Sequence, residues 1–148
     1  MELSYLELLE SLSGSPVKGR ATSVKEHNKT LSAMGYASDY YVTANGNTPT
    51  FDTYEKYMEY ICKNLSEDRP VVVATNLGSG HFVTIIGVDD MGTDYIYDDV
   101  IVTADSCDYW DGYQDGYSLY SAYKFFTQFT NGSYSKLQQH IVIYDNKE

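Results

Sequence analysis

The chain has little with which to staple itself, cage a metal or cross a membrane. Two cysteines in 148 residues, Cys62 and Cys107, are too few for a disulfide scaffold or a thiolate zinc site. They leave room for one bridge or two free thiols. No stretch approaches the roughly 20 consecutive apolar residues of a bilayer span, so membrane insertion is not expected. Met1 to Leu12 holds three glutamates and no basic run, which excludes a signal peptide there. Basic residues are scarce too: 10 Lys and Arg against 21 Asp and Glu give a net charge of −11. Phosphate binding needs clustered cations, so nucleic acid and anionic membranes are excluded as expected partners. Repeats, linker-like stretches and low-complexity tails are absent from the sequence.

What remains is the composition of a folded domain, 43% hydrophobic and 21% charged, long enough for one real core and rich in tyrosine with sixteen. Tyr5 to Leu12 has apolar residues at helical spacing, ended by Ser13-Gly14-Ser15-Pro16. Ser23-Val24-Lys25-Glu26 reads as a capping box, opening a helix with Val24, Leu31 and Met34 on one face and Gly35 as its stop. Residues 37 to 50 suggest a strand or loop excursion. Asp52 with Glu55 reads as a second capping box before an amphipathic helix carrying Tyr54, Met58, Ile61 and Leu65. From Pro70 the period becomes that of strands: Val71 to Thr75, then His81 to Val88, with Asp89-Asp90-Met91-Gly92 as a turn. Strand signals follow at Tyr95-Ile96-Tyr97 and Val100 to Ala104. After an acidic aromatic loop, Asp105 to Tyr117, the spacing of Leu119, Ala122, Phe126 and Phe129 predicts a helix closed by Asn131-Gly132. His140 to Tyr144 predicts a last strand. Helices first and mostly strands after give an α+β domain with an antiparallel sheet.

Chemistry concentrates at Gly78-Ser79-Gly80-His81. Glycines ahead of the strand let a backbone or substrate approach, and alternation puts His81, Val83 and Ile85 on one face. An imidazole fixed at the end of a buried strand suits general acid or base work; a lone histidine there is more often a satisfied structural residue. Asp105 ends the next strong strand. If the two strands pair as a hairpin with a long loop centred on Thr93, His81 and Asp105 come opposite each other, and the carboxylate can orient the ring. The bland alternative for Asp105 is a turn-forming carboxylate.

Pro70-Val71-Val72-Val73, then Gly80-His81-Phe82-Val83-Thr84-Ile85-Ile86-Gly87-Val88-Asp89, then Asp105 and Asp111 to Gly116 ahead of an aromatic helix resemble the double-glycine-leader peptidase-like families, papain-like cysteine peptidases of bacteria. The resemblance extends over roughly residues 1 to 145 and includes the helix end Met34-Gly35-Tyr36. It implies a single papain-like α+β domain, N-terminal helices packed on an antiparallel sheet, with His81 as general base and Asp105 as its orienting partner. A peptide or protein substrate and a secreted or cell-envelope location follow from it as expectations. No cofactor or metal is expected, and the chain is expected to be a monomer or weak oligomer. The family logic also requires a cysteine at a helix N-terminus, where dipole and imidazole favour the thiolate, preceded by a glutamine for the oxyanion hole. Those elements precede the region matched by Tyr5 to Leu12, so they are expected ahead of Met1, and the 148-residue chain is expected to be inactive or nearly so.

Neither cysteine substitutes on sequence grounds. Cys62 shares a helical stripe with Met58 and Leu65 and reads as core. Cys107 sits in an aspartate-rich loop, where negative charge discourages a thiolate, and reads as a loop thiol or disulfide partner. Asp108, Asp111 and Asp115 could hold a hard cation, but the spacing is not that of the twelve-residue calcium loop, and a solvated acidic turn is the plainer reading. Tyr109 and Trp110, with Gly80, are candidates for a substrate groove; like Tyr113 and Tyr117 they could equally cover a sheet edge. His27 and His140 read as structural. Two other functions stay open: a non-catalytic pseudo-peptidase that binds peptide or protein, and an acidic inhibitory or nucleic-acid-mimic protein suggested by the charge.

Overall fold

A computed structural model describes residues 3–18, 22–41, 51–78, 80–107, 113, 115–130 and 139–144. Helix α1 (Tyr5–Ser13) and helix α2 (Val24–Ala33) both start on reciprocal capping boxes, Ser4 with Glu7 and Ser23 with Glu26. Gly35, at φ 91°, supplies the left-handed stop after α2. Val24 and Thr30 are the buried residues of α2, whereas Met34 is exposed, so the expected Val24–Leu31–Met34 face is rotated. Strand β1 (Ala37–Tyr41) follows; the rest of the 37 to 50 excursion lies outside the described residues.

Helix α3 (Tyr54–Ser66) is capped by Thr53 and not by an Asp52–Glu55 box. The Thr53 hydroxyl accepts from the Lys56 N–H, while Asp52 pairs with the Lys56 ammonium at 2.9 Å and Glu55 accepts from the Tyr97 hydroxyl. Both acids are engaged by side chains. The remaining elements are β2 (Val71–Thr75), β3 (His81–Asp89), β4 (Val100–Ala104), β5 (Tyr117–Ser121), the short α4 (Ala122–Lys124) running into a π-helical turn at Phe125–Phe129, and β6 (His140–Tyr144).

Six strands form one sheet in the order β1-β6-β2-β3-β4-β5, antiparallel at every pairing. Alternation buries Val71, Val73 and Thr75 of β2, Val83 and Ile85 of β3, and Ile101 and Thr103 of β4. Together with Tyr54, Tyr57, Met58 and Ile61 of α3 and with Phe125 and Phe126, the apolar members of this face make the core. Each fully buried large apolar side chain stabilises the fold by about 1.5–3 kcal/mol.

Two expected elements differ. Tyr95 to Tyr97 is not a strand: Ile96–Asp98 forms a 3₁₀ turn, because β4 already has β3 and β5 on its two edges and the Tyr54 hydroxyl holds the Ile96 carbonyl at 2.6 Å. The expected helix from Leu119 begins only at Ala122. Tyr117 to Ser121 instead pairs with β4, burying Ser118 and leaving Leu119 exposed. The wider π turn then brings both Phe125 and Phe126 inside.

Candidate active site

Gly80 adopts φ 106°, a conformation that L side chains rarely adopt, and its N–H closes the turn onto the Leu77 carbonyl at 3.1 Å. That turn delivers the chain into β3 with His81 paired to Thr75. The buried Thr75 hydroxyl donates to the His81 carbonyl at 2.7 Å, fixing the backbone of the histidine from the neighbouring strand. On its other side Phe82 packs edge-on against the His27 ring, with centroids 5.2 Å apart. His81 therefore projects from the end of the buried face, the face that carries Val83 and Ile85.

Asp105 follows directly on β4. A bulge between Ile85 and Gly87 shifts the β3–β4 register, which pairs Thr84 with Ala104. Continued by one residue, that register sets Asp105 opposite Val83 and not opposite His81 as the symmetric hairpin predicts. His81 is then its diagonal neighbour on the same face, still within reach of a long side chain. The two side chains meet: His81 Nε2 and Asp105 Oδ1 are in direct hydrogen-bonding contact. The carboxyl group is fully covered, while 19% of the imidazole is exposed. Asp105 N–H donates to the Gly116 carbonyl at 2.9 Å, and Asp105 Oδ1 accepts from the Cys107 N–H at 2.9 Å.

A carboxylate is an acceptor only, so the ring nitrogen facing it carries hydrogen, and in the neutral ring the lone pair is on Nδ1. Cys107 Sγ lies 4.0 Å from Nδ1. Cys107 is exposed and free, as is Cys62. Cys62 is thus not the core residue expected from its stripe; partial desolvation, then the charge of Asp99, raises its pKa. One ligand-type atom from each of His81, Asp105 and Cys107 lies within 4.8 Å of the others, a spacing a metal ion can also use. The Nε2–carboxylate contact occupies one nitrogen and one oxygen of that set and favours a thiol–imidazole–carboxylate line.

Sequence reasoning brought out His81 and Asp105, which the fold brings together, and Gly80, which is exposed beside them. Tyr109 and Trp110 lie outside the described residues, as do Asp108 and Asp111. Asp115 has a turn role, accepting from the Tyr117 N–H at 3.0 Å. Thr75 and Cys107 were not singled out for this site. Thr75 had a weak signal as the polar end of an aliphatic strand; Cys107 had one in its spacing of two from Asp105.

The other two histidines have partners that sequence alone did not reveal. The Tyr5 hydroxyl lies 2.6 Å from His27 Nδ1 and the Thr22 hydroxyl 2.7 Å from Nε2. Burial lifts the Tyr5 pKa to about 12, so the phenol beside Nδ1 stays protonated. His140 is buried, with Nε2 3.2 Å from the Tyr60 hydroxyl and its ring stacked on Phe51.

No curated protein matches the chain. A family model described as the Peptidase_C39 like family matches residues 3–142. Helices packed on a six-stranded antiparallel sheet are consistent with a papain-like, C39-type fold. The chain belongs to the Peptidase_C39 like family and is a cysteine-peptidase-like domain.

Proposed function

We propose that the domain carries the base and orienter of a papain-like cysteine peptidase site acting on a peptide or protein. In this reading His81 Nδ1 takes the proton of a thiol as sulfur attacks the scissile carbonyl, then returns it to the departing amine. Asp105 keeps the ring in the tautomer with hydrogen on Nε2 and stabilises the imidazolium. The observation that supports this is the contact between His81 Nε2 and a covered carboxylate, which leaves Nδ1 free to receive a proton.

Amide hydrolysis also needs donors for the oxyanion and a stabilised thiolate, both of which a helix N-terminus supplies. Neither cysteine of the chain has that seat: Cys62 lies in the second half of α3, and Cys107 in the loop after β4. In this reading the 148-residue polypeptide alone is inactive or nearly so, and the nucleophile that the reaction requires is a Cys-Gly at the start of a helix, preceded by Gln.

The test compares this chain with a form extended at the N-terminus by such a helix, each incubated with a peptide mixture and read by mass spectrometry. The extended form cleaves, and His81→Ala lowers its rate at least about 100-fold, the lower end of general-base catalysis. Cleavage that survives His81→Ala contradicts the proposal. Peptide binding without cleavage by the extended form replaces it with the non-catalytic reading. Cleavage by the unextended chain that is lost in Cys107→Ala and kept in Cys62→Ala removes the claim of inactivity.

A further inference from the structure

We propose that Cys107 is a modification site: a thiol activated by His81 that exchanges with small disulfides from solvent. The inference rests on the same base and orienter pair as the peptidase reading, but needs no peptide and no second cysteine.

One carboxylate organises the other two groups. Asp105 Oδ1 meets His81 Nε2 and accepts from the Cys107 N–H at 2.9 Å, so it fixes both the ring and the loop that carries the thiol. The nitrogen left over is Nδ1, and Cys107 Sγ stands 4.0 Å from it, at the outer limit of a sulfur hydrogen bond. Resting contacts between nucleophile and base are often this loose, and the Cys107 side chain is exposed. Position relative to a base sets thiol reactivity more sharply than the mean charge of a loop.

The step balances. The thiol proton passes to Nδ1, and a sulfur lone pair attacks one sulfur of a disulfide R–S–S–R. The old S–S bond breaks as the Cys107–S–S–R bond forms, and the leaving thiolate takes the proton from the imidazolium. Cys107 is oxidised, the incoming disulfide is reduced to one thiol, and no further oxidant is involved. Exchange at sulfur generates no oxyanion, so a thiol without a helix N-terminus can perform it while remaining unable to cut an amide. The product places R beside Nδ1, the nitrogen that a peptidase thiol needs.

Cys62 is a built-in control, since its desolvated thiol near Asp99 is held above the usual thiol range. The experiment uses the 148-residue chain in EDTA with an aromatic disulfide, 5,5′-dithiobis(2-nitrobenzoate), and follows release of the coloured thiolate at pH 7. Cys62→Ala protein, which keeps Cys107, reacts at least about tenfold faster than Cys107→Ala protein, a gap within the span of thiol activation by a neighbouring base. His81→Gln removes most of that advantage and leaves the Cys62 rate unchanged, which also reports an intact fold. Equal rates at the two cysteines, or a Cys107 rate unmoved by His81→Gln, overturn the inference. If His81→Gln unfolds, the pH profile of Cys107 with His81 intact decides. Reactivity persisting well below pH 8 upholds the inference, and a single rise near 8.5, the ordinary thiol value, overturns it. Fast, His81-dependent exchange with no peptide cleavage by the extended protein leaves this inference standing and sinks the peptidase reading; cleavage without preference for Cys107 does the reverse.

Discussion

Replacing Asp105 by alanine tests whether this carboxylate holds the site together. Two donors converge on one of its oxygens, His81 Nε2 and the Cys107 N–H, and the group itself is shut off from solvent. A buried donor deprived of its partner costs about 1–3 kcal/mol. The Cys107 N–H lies in a loop whose side chain is exposed, so water can replace part of its bond; the imidazole is four-fifths covered and recovers less. Asp105→Ala should therefore destabilise the domain by about 2–4 kcal/mol. Asparagine keeps an acceptor oxygen in place and loses only the charge assistance, roughly half the strength of each bond, so Asp105→Asn should cost about 1–2 kcal/mol. The assay is urea unfolding followed by near-ultraviolet circular dichroism, where the tyrosines report tertiary packing. Combining Asp105→Ala with His81→Ala should give a coupling of at least about 1 kcal/mol, because the residues share one bond. A cost below about 0.5 kcal/mol for Asp105→Ala, the level of an ordinary surface change, or a coupling near zero, refutes the reasoning.

Two further outcomes are expected. Thr75→Val keeps the shape and removes the hydroxyl that holds the His81 carbonyl at 2.7 Å, so it should cost about 1–2 kcal/mol in the same unfolding assay; a smaller loss means that the strand pairing alone fixes the histidine. Burial, opposed by the Glu26 charge, holds the His27 pKa below its ordinary 6.5, so the unfolded chain takes up a proton there before the folded one does. Stability from His27 is present above pH 6.5 and is lost as pH falls through the depressed folded value; the slope of unfolding free energy between pH 6.5 and 5 should flatten in His27→Gln, and an unchanged slope contradicts the assignment.

Strong periodicity carried the fold. Val71 to Thr75, His81 to Val88, Val100 to Ala104 and the stripe of α3 were legible because hydrophobic spacing and tertiary burial agree there. Residues 117–129 were misread because Leu119, Ala122, Phe126 and Phe129 also fit a helical repeat; pairing with the free edge of β4 decides the matter, and no local sequence feature records that edge. Tyr95 to Tyr97 has strand propensity without a strand to join. Cys62 flanks the buried line Met58–Ile61 and does not lie on it, a displacement too small for spacing to resolve. At the site, the distance along the chain from His81 to Asp105 was informative, and the bulge at Ile85–Gly87 moves the register by one residue so that Asp105 falls on the face of His81. The position of Cys107 was hidden for another reason: it depends on a side-chain bond from its own N–H to Asp105, and charge composition says nothing about where a sulfur points.

The protonation pattern of the His81 ring is the most direct reading of the central geometry. Two-bond ¹⁵N–¹H correlation of the imidazole, assigned by its disappearance in His81→Gln, distinguishes the tautomers at neutral pH. Hydrogen on Nε2 with Nδ1 bare, shifting on Asp105→Asn, is the result expected from the contact with Asp105. Hydrogen on Nδ1, or a spectrum indifferent to Asp105→Asn, would contradict it and leave the thiol without a base.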